Sequence, residues 1–238
     1  MEKHKILPEV IDVLKNFAGI NPNIVFKDNE VIKSINEARN VLASAEIHHP
    51  FPSDTGIYDL NEFLSALSMF KSPTLAFADD LTNVTISEGS RSIRYFFSSP
   101  EIMVKASDAY RDITFPDHFL SFSLSNDEIK DMKRAASTLG TTDLVVASDG
   151  EGGVSAFVTD TKNPTANSFS YSLTDFVIGD TLEAFSFIFD IKNLKMAAGD
   201  YEVFITPKRI SKFVNKTVPL QYMIGLDNTS EFTERSDA

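Results

Sequence analysis

Two stretches of the chain follow one pattern: Ile57–Leu64 reads IYDLNEFL, and Ile188–Lys195 reads IFDIKNLK. In each, the end of an apolar strand is followed by an aspartate and then by apolar residues at helical spacing. Asp59 and Asp190 are therefore predicted to cap helices by accepting hydrogen bonds from the first free amides, and Glu62 has the spacing of a capping box. The repetition predicts two similar domains in tandem, an arrangement that suggests an assembly rather than a catalyst.

The composition is that of a folded protein with room for two domains of common size. The 238 residues are 42% hydrophobic, include 20 Phe, and carry a formal net charge of -12. No run approaches the roughly 20 apolar residues of a membrane span, and Met1–Lys5 leads into an amphipathic helix rather than a signal peptide, so we expect a cytosolic protein. Because the chain has no cysteine, disulfides, thiolate nucleophiles and cysteine-ligated zinc are excluded.

Apolar spacing predicts two helices in each half of the chain. The first two are Pro8–Phe17 and Leu60–Phe70; the third is capped by Ser125 or Asn126, runs to Leu139 and ends at Gly140; the fourth is Asp190–Ala198. Short strands are predicted at residues 24–26, 31–35, 41–47, 75–77, 84–87 and 93–97, and again at 119–124, from 144, and at 169–174, 185–189, 201–206 and 221–226.

The pattern lapses between Ser98 and Pro116, which reads as an extended connector with Pro100 near one end and Thr114–Pro116 at the other. The domain boundary is placed within it, giving domains 1–112 and 113–238. Helices combined with several antiparallel strands in each half predict an α+β fold.

The third predicted helix carries a basic stripe opposite its apolar face, at about 100° per residue. Lys130, Lys133 and Arg134 point away from the apolar set Ile129, Met132, Ala136 and Leu139. Lys192 and Lys195 share one side of the fourth helix, and Lys15 lies off the apolar face of the first. Spacing alone favours ordinary solvated faces, balanced by Asp127, Glu128 and Asp131, over a DNA-binding surface.

Several segments, in order and at compatible spacing, resemble one family: the sliding clamps, or DNA polymerase processivity factors, of T-even-type tailed bacteriophages. They are Val13–Asn21, Ile57–Asn61, Tyr171–Thr174, Asn193–Met196 and Gly199–Tyr201. The connector, the last strand Tyr222–Leu226 and the short acidic tail are also similar. The resemblance runs nearly end to end, although residues 27–56 and 206–219 match poorly.

The resemblance implies a head-to-tail homotrimeric ring of two-domain subunits, with antiparallel sheets forming the outer wall and helices lining the hole. A basic inner face would hold double-stranded DNA by its phosphates without reading sequence, and the acidic exterior would discourage binding outside. On this basis the residues expected to face DNA are Lys15, Lys71, Lys130, Lys133, Arg134, Lys192 and Lys195.

The family also implies partners for viral DNA replication in the cytoplasm of the infected bacterial host. It binds the C-terminal peptide of the DNA polymerase in a hydrophobic pocket, an ATP-dependent clamp loader opens its ring, and late-transcription factors share the surface. The residues proposed to line the pocket are Ile102, Val104, Tyr222, Met223 and Leu226, each of which could equally be ordinary strand or connector packing.

The sequence contains no recognisable catalytic motif, so no enzymatic activity, cofactor or metal is predicted. His48 and His49 lack metal-ligand spacing and are interpreted as a surface loop, and the region of Asp149 and Glu151 is interpreted as a glycine turn because the calcium-loop pattern is missing. Phosphate-loop, nucleophile-elbow and zinc-protease motifs are missing too. The main alternative is an acidic scaffold or structural virion protein whose basic faces are merely solvated; an enzyme ranks a distant third.

Overall fold

A computed structural model describes residues 2–104, 106, 119–148, 152–180 and 182–234. The chain divides into two compact units, Met1–Asp112 and Ile113–Ala238. Thr114–Pro116, Asp149 and Glu151, to which the sequence assigned a connector and a turn, lie outside the described residues.

Within its described residues, the first unit contains two α-helices, α1 (Pro8–Ala18) and α2 (Leu60–Ser68), and a turn of 3-10 helix at Pro100–Ile102. Its strands are β1 (His4–Lys5), β2 (Ile24–Phe26), β3 (Val31–Ile35), β4 (Val41–Glu46), β5 (Thr55–Ile57), β6 (Thr74–Phe77), β7 (Asn83–Glu88) and β8 (Arg91–Phe96). The strands pair antiparallel as β1-β6-β7-β8, β2-β5 and β3-β4.

Helices α1 and α2 form where the sequence predicts them. Pro8 occupies the first turn of α1, where a missing N–H costs nothing, and Val10, Leu14 and Phe17 are buried. Asp59 accepts hydrogen bonds of 3.0 Å from the backbone N–H groups of Asn61 and Glu62, which confirms its capping role. The helices pack against each other.

Aromatic side chains fill the core of the first unit around Phe51. Its ring stacks on Phe26 at 4.1 Å between centroids and meets the edge of Phe63 at 5.8 Å. His49 is buried in the same cluster, 5.0 Å from Phe26, whereas His48 is exposed and pairs with Glu30. The interpretation of both histidines as a surface loop is therefore wrong for His49, because the aromatic cluster covers it.

The second unit contains one α-helix, α3 (Asn126–Leu139), and a turn of 3-10 helix at Ile191–Asn193, within its described residues. Its strands are β9 (Leu120–Leu124), β10 (Asp143–Ser148), β11 (Val154–Thr159), β12 (Phe169–Leu173), β13 (Phe176–Ile178), β14 (Leu182–Asp190), β15 (Tyr201–Ile205), β16 (Ile210–Asn215), β17 (Leu220–Gly225) and β18 (Glu231–Glu234). They pair antiparallel as β12-β11-β10-β14-β18 and as β13-β9-β15-β16-β17.

Helix α3 has well-defined ends. Ser125 and Glu128 form a reciprocal capping box, in which each side chain bonds the other residue's backbone N–H. Gly140 closes the helix in the left-handed conformation at φ 67°, which suits a residue without a side chain. The helix packs on β11 and β12.

The fourth predicted helix, Asp190–Ala198, is wrong beyond its first turn. Asp190 caps the 3-10 turn by accepting from the N–H of Lys192 at 3.1 Å, but the chain leaves helical geometry at Leu194. Further on, the N–H of Ala197 donates to the Tyr222 hydroxyl at 3.0 Å, and its carbonyl accepts from the Tyr201 hydroxyl at 2.8 Å. Side chains from β15 and β17 thus satisfy backbone groups that a helix would have used.

Several strands were not predicted: β1, β11, β13, β16 and β18. Strand β18 belongs to the segment interpreted as an acidic tail, yet it pairs with β14 through Phe232 opposite Phe185. Strand β16 pairs with β15 and β17 even though Lys212 and Ser211 interrupt its apolar pattern.

Candidate nucleic-acid interface

Helix α3 presents a buried and an exposed side, as its spacing predicts. Ile129, Met132 and Ala136 are buried, whereas Lys130 and Arg134 are exposed. Leu139, which the sequence placed on the apolar face, is only half-buried because it ends the helix. The exposed side offers two cations about one helical turn apart, a spacing at which both can reach one charged surface.

Lys133 differs from the other two basic residues of the stripe. It is half-buried, and burial lowers the pKa of its ammonium group below the ordinary range. The sequence placed Lys133 on the outward side with Lys130 and Arg134, and it is the least exposed of the three because neighbouring atoms cover part of its side chain.

The exposed cations of α3 are paired along the helix with aspartates three residues earlier. Lys130 Nζ lies 3.6 Å from Asp127 Oδ1, and Arg134 Nη2 lies 2.7 Å from Asp131 Oδ1. The helix contains three basic and three acidic residues, so its formal charge is zero. Its exposed side is a set of ion pairs rather than an uncompensated positive stripe.

In the first unit, a groove of about 420 Å³ brings Lys15 and Lys71 together and adds Lys5. Ile11 and Pro73 supply apolar wall, and Asp12 pairs with Lys15 at 3.2 Å. The sequence placed Lys15 and Lys71 in one candidate set but missed Lys5, because strand β1 is too short to show a pattern. The position of Lys5, three residues before Pro8 at the start of α1, was the available indication.

Lys192 and Lys195 lie at the 3-10 turn of the second unit. The carboxylate of Asp190 is 2.5 Å from Lys192 Nζ and raises the pKa of that lysine. Lys195 is exposed and lies just after the turn. The two residues therefore do not share a helix face, as the predicted fourth helix would have required.

The residues proposed for a partner-peptide pocket have unlike environments. Ile102 is exposed at 69%, Met223 is half-buried, and Val104 lines a cavity of about 30 Å³ together with Ile24 and Ile35.

Tyr222 and Leu226, by contrast, belong to the core of the second unit. Tyr222 is completely buried and packs edge-on against Tyr201 at 6.1 Å, and Leu226 is 9% exposed. Burial strongly raises the pKa of the Tyr222 phenol. The assignment of Tyr222 to the wall of an open pocket is wrong, because a side chain without accessible surface cannot contact a bound peptide; Leu226 keeps only a small exposed surface.

A more accessible groove of about 550 Å³ runs beside β14 and β18. It is lined by Ser148, Ala184, Phe185, Ser186, Arg209, Glu231, Phe232 and Thr233. Within the part of the chain that the structure describes, β18 is an outer strand of its sheet, so its edge can pair with an extended chain. The groove therefore combines aromatic wall, a cation and an available strand edge.

Within the described residues, no group of three histidine or acidic side chains could hold a metal ion. Across that same part of the chain, every helix is too short or too polar to cross a membrane.

The two units match two family models in sequence. Residues 5–105 match the model described as DNA polymerase processivity factor, and residues 121–228 match that described as gp45 sliding clamp, C terminal. The sliding clamp of Vibrio phage KVP40 is 29% identical over 224 residues, which is 94% of this chain and 99% of the relative. The sliding clamp of Enterobacteria phage T4 is 24% identical over 234 residues, with 96% and 100% covered.

Solved clamp structures share the fold at low sequence identity. The A. fulgidus PCNA bound to the C-terminal region of FEN-1 superimposes with a TM-score of 0.70 at 13% identity, covering 97% of this chain and 100% of that one. A putative DNA polymerase III beta subunit from Eubacterium rectale gives 0.67 at 11% identity, covering 96% of this chain and 66% of that one. The predicted α+β clamp fold and the resemblance to phage clamps are confirmed.

Proposed function

Because the chain belongs to the family of phage sliding clamps that serve as DNA polymerase processivity factors, we propose that it encircles duplex DNA and tethers a replicative polymerase to it. The role is non-enzymatic, and the chain performs it in the cytoplasm of the infected bacterial host. Its contacts with DNA are to phosphates and do not depend on base sequence.

The observation that carries this proposal is the two-sided character of α3. The buried apolar side fixes the helix on its sheet, so Lys130 and Arg134 project into solvent at fixed positions. The lysine groove of the first unit, with Lys5, Lys15 and Lys71, provides cations of the same kind. Phosphates are bound by such exposed cations through exchangeable contacts, which let the protein move along a duplex.

Closure around DNA requires copies of the chain to join, and both units have outer strands available for this. Among the described residues, strand β8 lies at one edge of its sheet and exposes 63% of Phe96, and β12 lies at one edge of its own sheet and exposes Phe169. An unpaired edge with an exposed aromatic residue favours pairing with another strand. We assign these edges to the contacts of a homotrimer.

The polymerase's C-terminal peptide fits the groove beside β18 better than the buried tyrosine proposed from the sequence. Phe232 supplies apolar surface, the edge of β18 can pair with an extended peptide, and Arg209 offers a cation to a terminal carboxylate. In the same proposal, an ATP-dependent clamp loader opens the ring, and late-transcription factors compete for the peptide groove.

Retention on closed DNA tests encirclement directly. Protein loaded on nicked circular DNA by its clamp loader and ATP should co-elute with the DNA, and linearising the circle should release it, because the hold is topological. A scaffold or virion protein with merely solvated basic faces would show no difference between circular and linear DNA.

The basic face is tested by the double variant Lys130→Glu, Arg134→Glu, which avoids the half-buried Lys133. It should reduce retention on circles at least tenfold, with the thermal midpoint of unfolding checked separately. The matched control, Lys162→Glu with Lys208→Glu, makes the same charge change at exposed positions elsewhere in the second unit and should retain DNA normally. Equal loss in both variants would contradict the assigned face.

A further inference from the structure

Four of the cations assigned to DNA share one arrangement: each forms an ion pair with an aspartate two or three residues earlier in the chain. The nitrogen–oxygen distances are 3.2 Å for Lys15 with Asp12, 3.6 Å for Lys130 with Asp127, 2.7 Å for Arg134 with Asp131 and 2.5 Å for Lys192 with Asp190. The arrangement recurs in both units and on three different elements, so it is not a local accident of α3.

We propose that these aspartates compete with DNA phosphates for the same cations and thereby set how tightly the clamp holds a duplex. The inference rests on the proposed function and deepens it, because it assigns a role to residues that do not themselves bind DNA. Each cation has a carboxylate partner when no phosphate is near, and it exchanges that partner for a phosphate when the duplex approaches.

Exchange of this kind is easy because the cation of every pair is exposed. The lysines and the arginine in these pairs keep 62% to 78% of their side-chain surface accessible, and exposed ion pairs are weak and readily screened. A returning carboxylate also shortens the time that a cation spends on one phosphate. The net effect is a lower affinity for DNA and faster movement along it.

The four aspartates fall into two classes by their other contacts. Asp131 Oδ2 accepts a hydrogen bond from Tyr171, and Asp190 Oδ1 accepts one from the N–H of Lys192, so both carboxylates are also held by the fold. Asp12 and Asp127 are more exposed, at 73% and 90% of their side-chain surface. These two can be neutralised with the smallest disturbance to the structure.

The test neutralises Asp12 and Asp127 together by Asp12→Asn and Asp127→Asn. Affinity for a fluorescein-labelled linear duplex is measured by anisotropy across a salt series, and the diffusion of loaded clamps is followed on stretched DNA. We expect binding at low salt to tighten by about two- to fivefold for each carboxylate, as befits an exposed ion pair. Diffusion along DNA should slow by a similar factor.

The control variant, Asp79→Asn with Glu202→Gln, changes the net charge equally at exposed sites on a β6–β7 turn and on β15. If it tightens binding as much as the test variant, net charge alone is responsible and the competition is overturned. Unchanged binding in the test variant also overturns it. Failure of the proposed function is distinguishable, since Lys130→Glu with Arg134→Glu would then leave DNA binding unaffected.

Discussion

The hydroxyl of Tyr171 donates a hydrogen bond of 3.0 Å to Oδ2 of Asp131, and so ties the exposed side of α3 to the edge strand β12. The other oxygen of the same carboxylate holds Arg134. One aspartate therefore fixes the position of a cation relative to the sheet beneath it.

This hydrogen bond raises the pKa of Tyr171, because ionisation would remove the proton that Asp131 accepts. In an absorbance titration, Tyr171→Phe should remove the signal of one tyrosine whose pKa is above the ordinary value of about 10. Asp131→Asn should keep that tyrosine but return its pKa toward the ordinary value. An unchanged titration in Asp131→Asn would show that the carboxylate does not control the phenol.

Gly56 in β5 should not accept a side chain. A Cβ there would lie 2.6 Å from Met103 Cε and 2.9 Å from the Ser98 carbonyl oxygen. We expect Gly56→Ala to lower the free energy of unfolding by about 1–3 kcal/mol, the usual cost of overpacking, as measured by urea denaturation. In a Met103→Ala background, Gly56→Ala should still lower the free energy of unfolding, although by less, because the clash with the Ser98 carbonyl remains. If Gly56→Ala cost nothing in that background, the backbone clash would be contradicted.

His49 should make the protein less stable in acid. Burial among Phe26 and Phe51 lowers its pKa, so below the unfolded pKa of about 6.5 the unfolded chain binds more protons than the folded one. The stability contribution is full above that pH and is lost as pH falls toward the folded pKa, at up to about 1.4 kcal/mol per unit. Urea midpoints between pH 7.5 and 5.5 should show this loss.

The comparison variant is His49→Leu, which should flatten the pH dependence over that interval even if its absolute stability differs. His48→Gln alters an exposed histidine and should leave most of the dependence intact. Equal slopes in the wild type and His49→Leu would assign the acid sensitivity to other groups.

Phe96 should control assembly. Light scattering after size exclusion, at several concentrations, should give the mass of three chains for the wild type, with dissociation on dilution. Phe96→Asp places a charge on the exposed edge of β8 and should raise the concentration needed for assembly at least tenfold. Val218→Asp, an exposed apolar residue in the β16–β17 turn, is the control. A wild type that stays monomeric at high concentration would contradict the ring.

The elements that the sequence predicted well are those determined by local chemistry. The apolar spacing of α1 and α3, the cap at Asp59 and the left-handed Gly140 all depend on residues within a few positions of each other. The i,i+3 spacing that pairs Lys130 with Asp127 is local as well. The sequence already indicated that the basic faces are balanced by acidic residues.

The parts that the sequence predicted wrongly depend on distant residues. The fourth helix fails because the hydroxyls of Tyr201 and Tyr222 reach the backbone of Ala197 from other strands. His49 is buried by a phenylalanine cluster that includes Phe63, which lies 14 positions further along the chain. A helical wheel gives the direction of Lys133 but not the neighbours that cover it.

The two outer strands that we assign to contacts between copies of the chain are chemically unlike. Strand β8 carries Arg91 and Arg94, whereas β12 reads Phe-Ser-Tyr-Ser-Leu and has no charged residue. If β8 of one copy pairs with β12 of the next, all copies in a closed ring point the same way around it. The proposed ring therefore has a front and a back, and in that proposal an enzyme docked on one side of it receives a direction along the DNA as well as an attachment point.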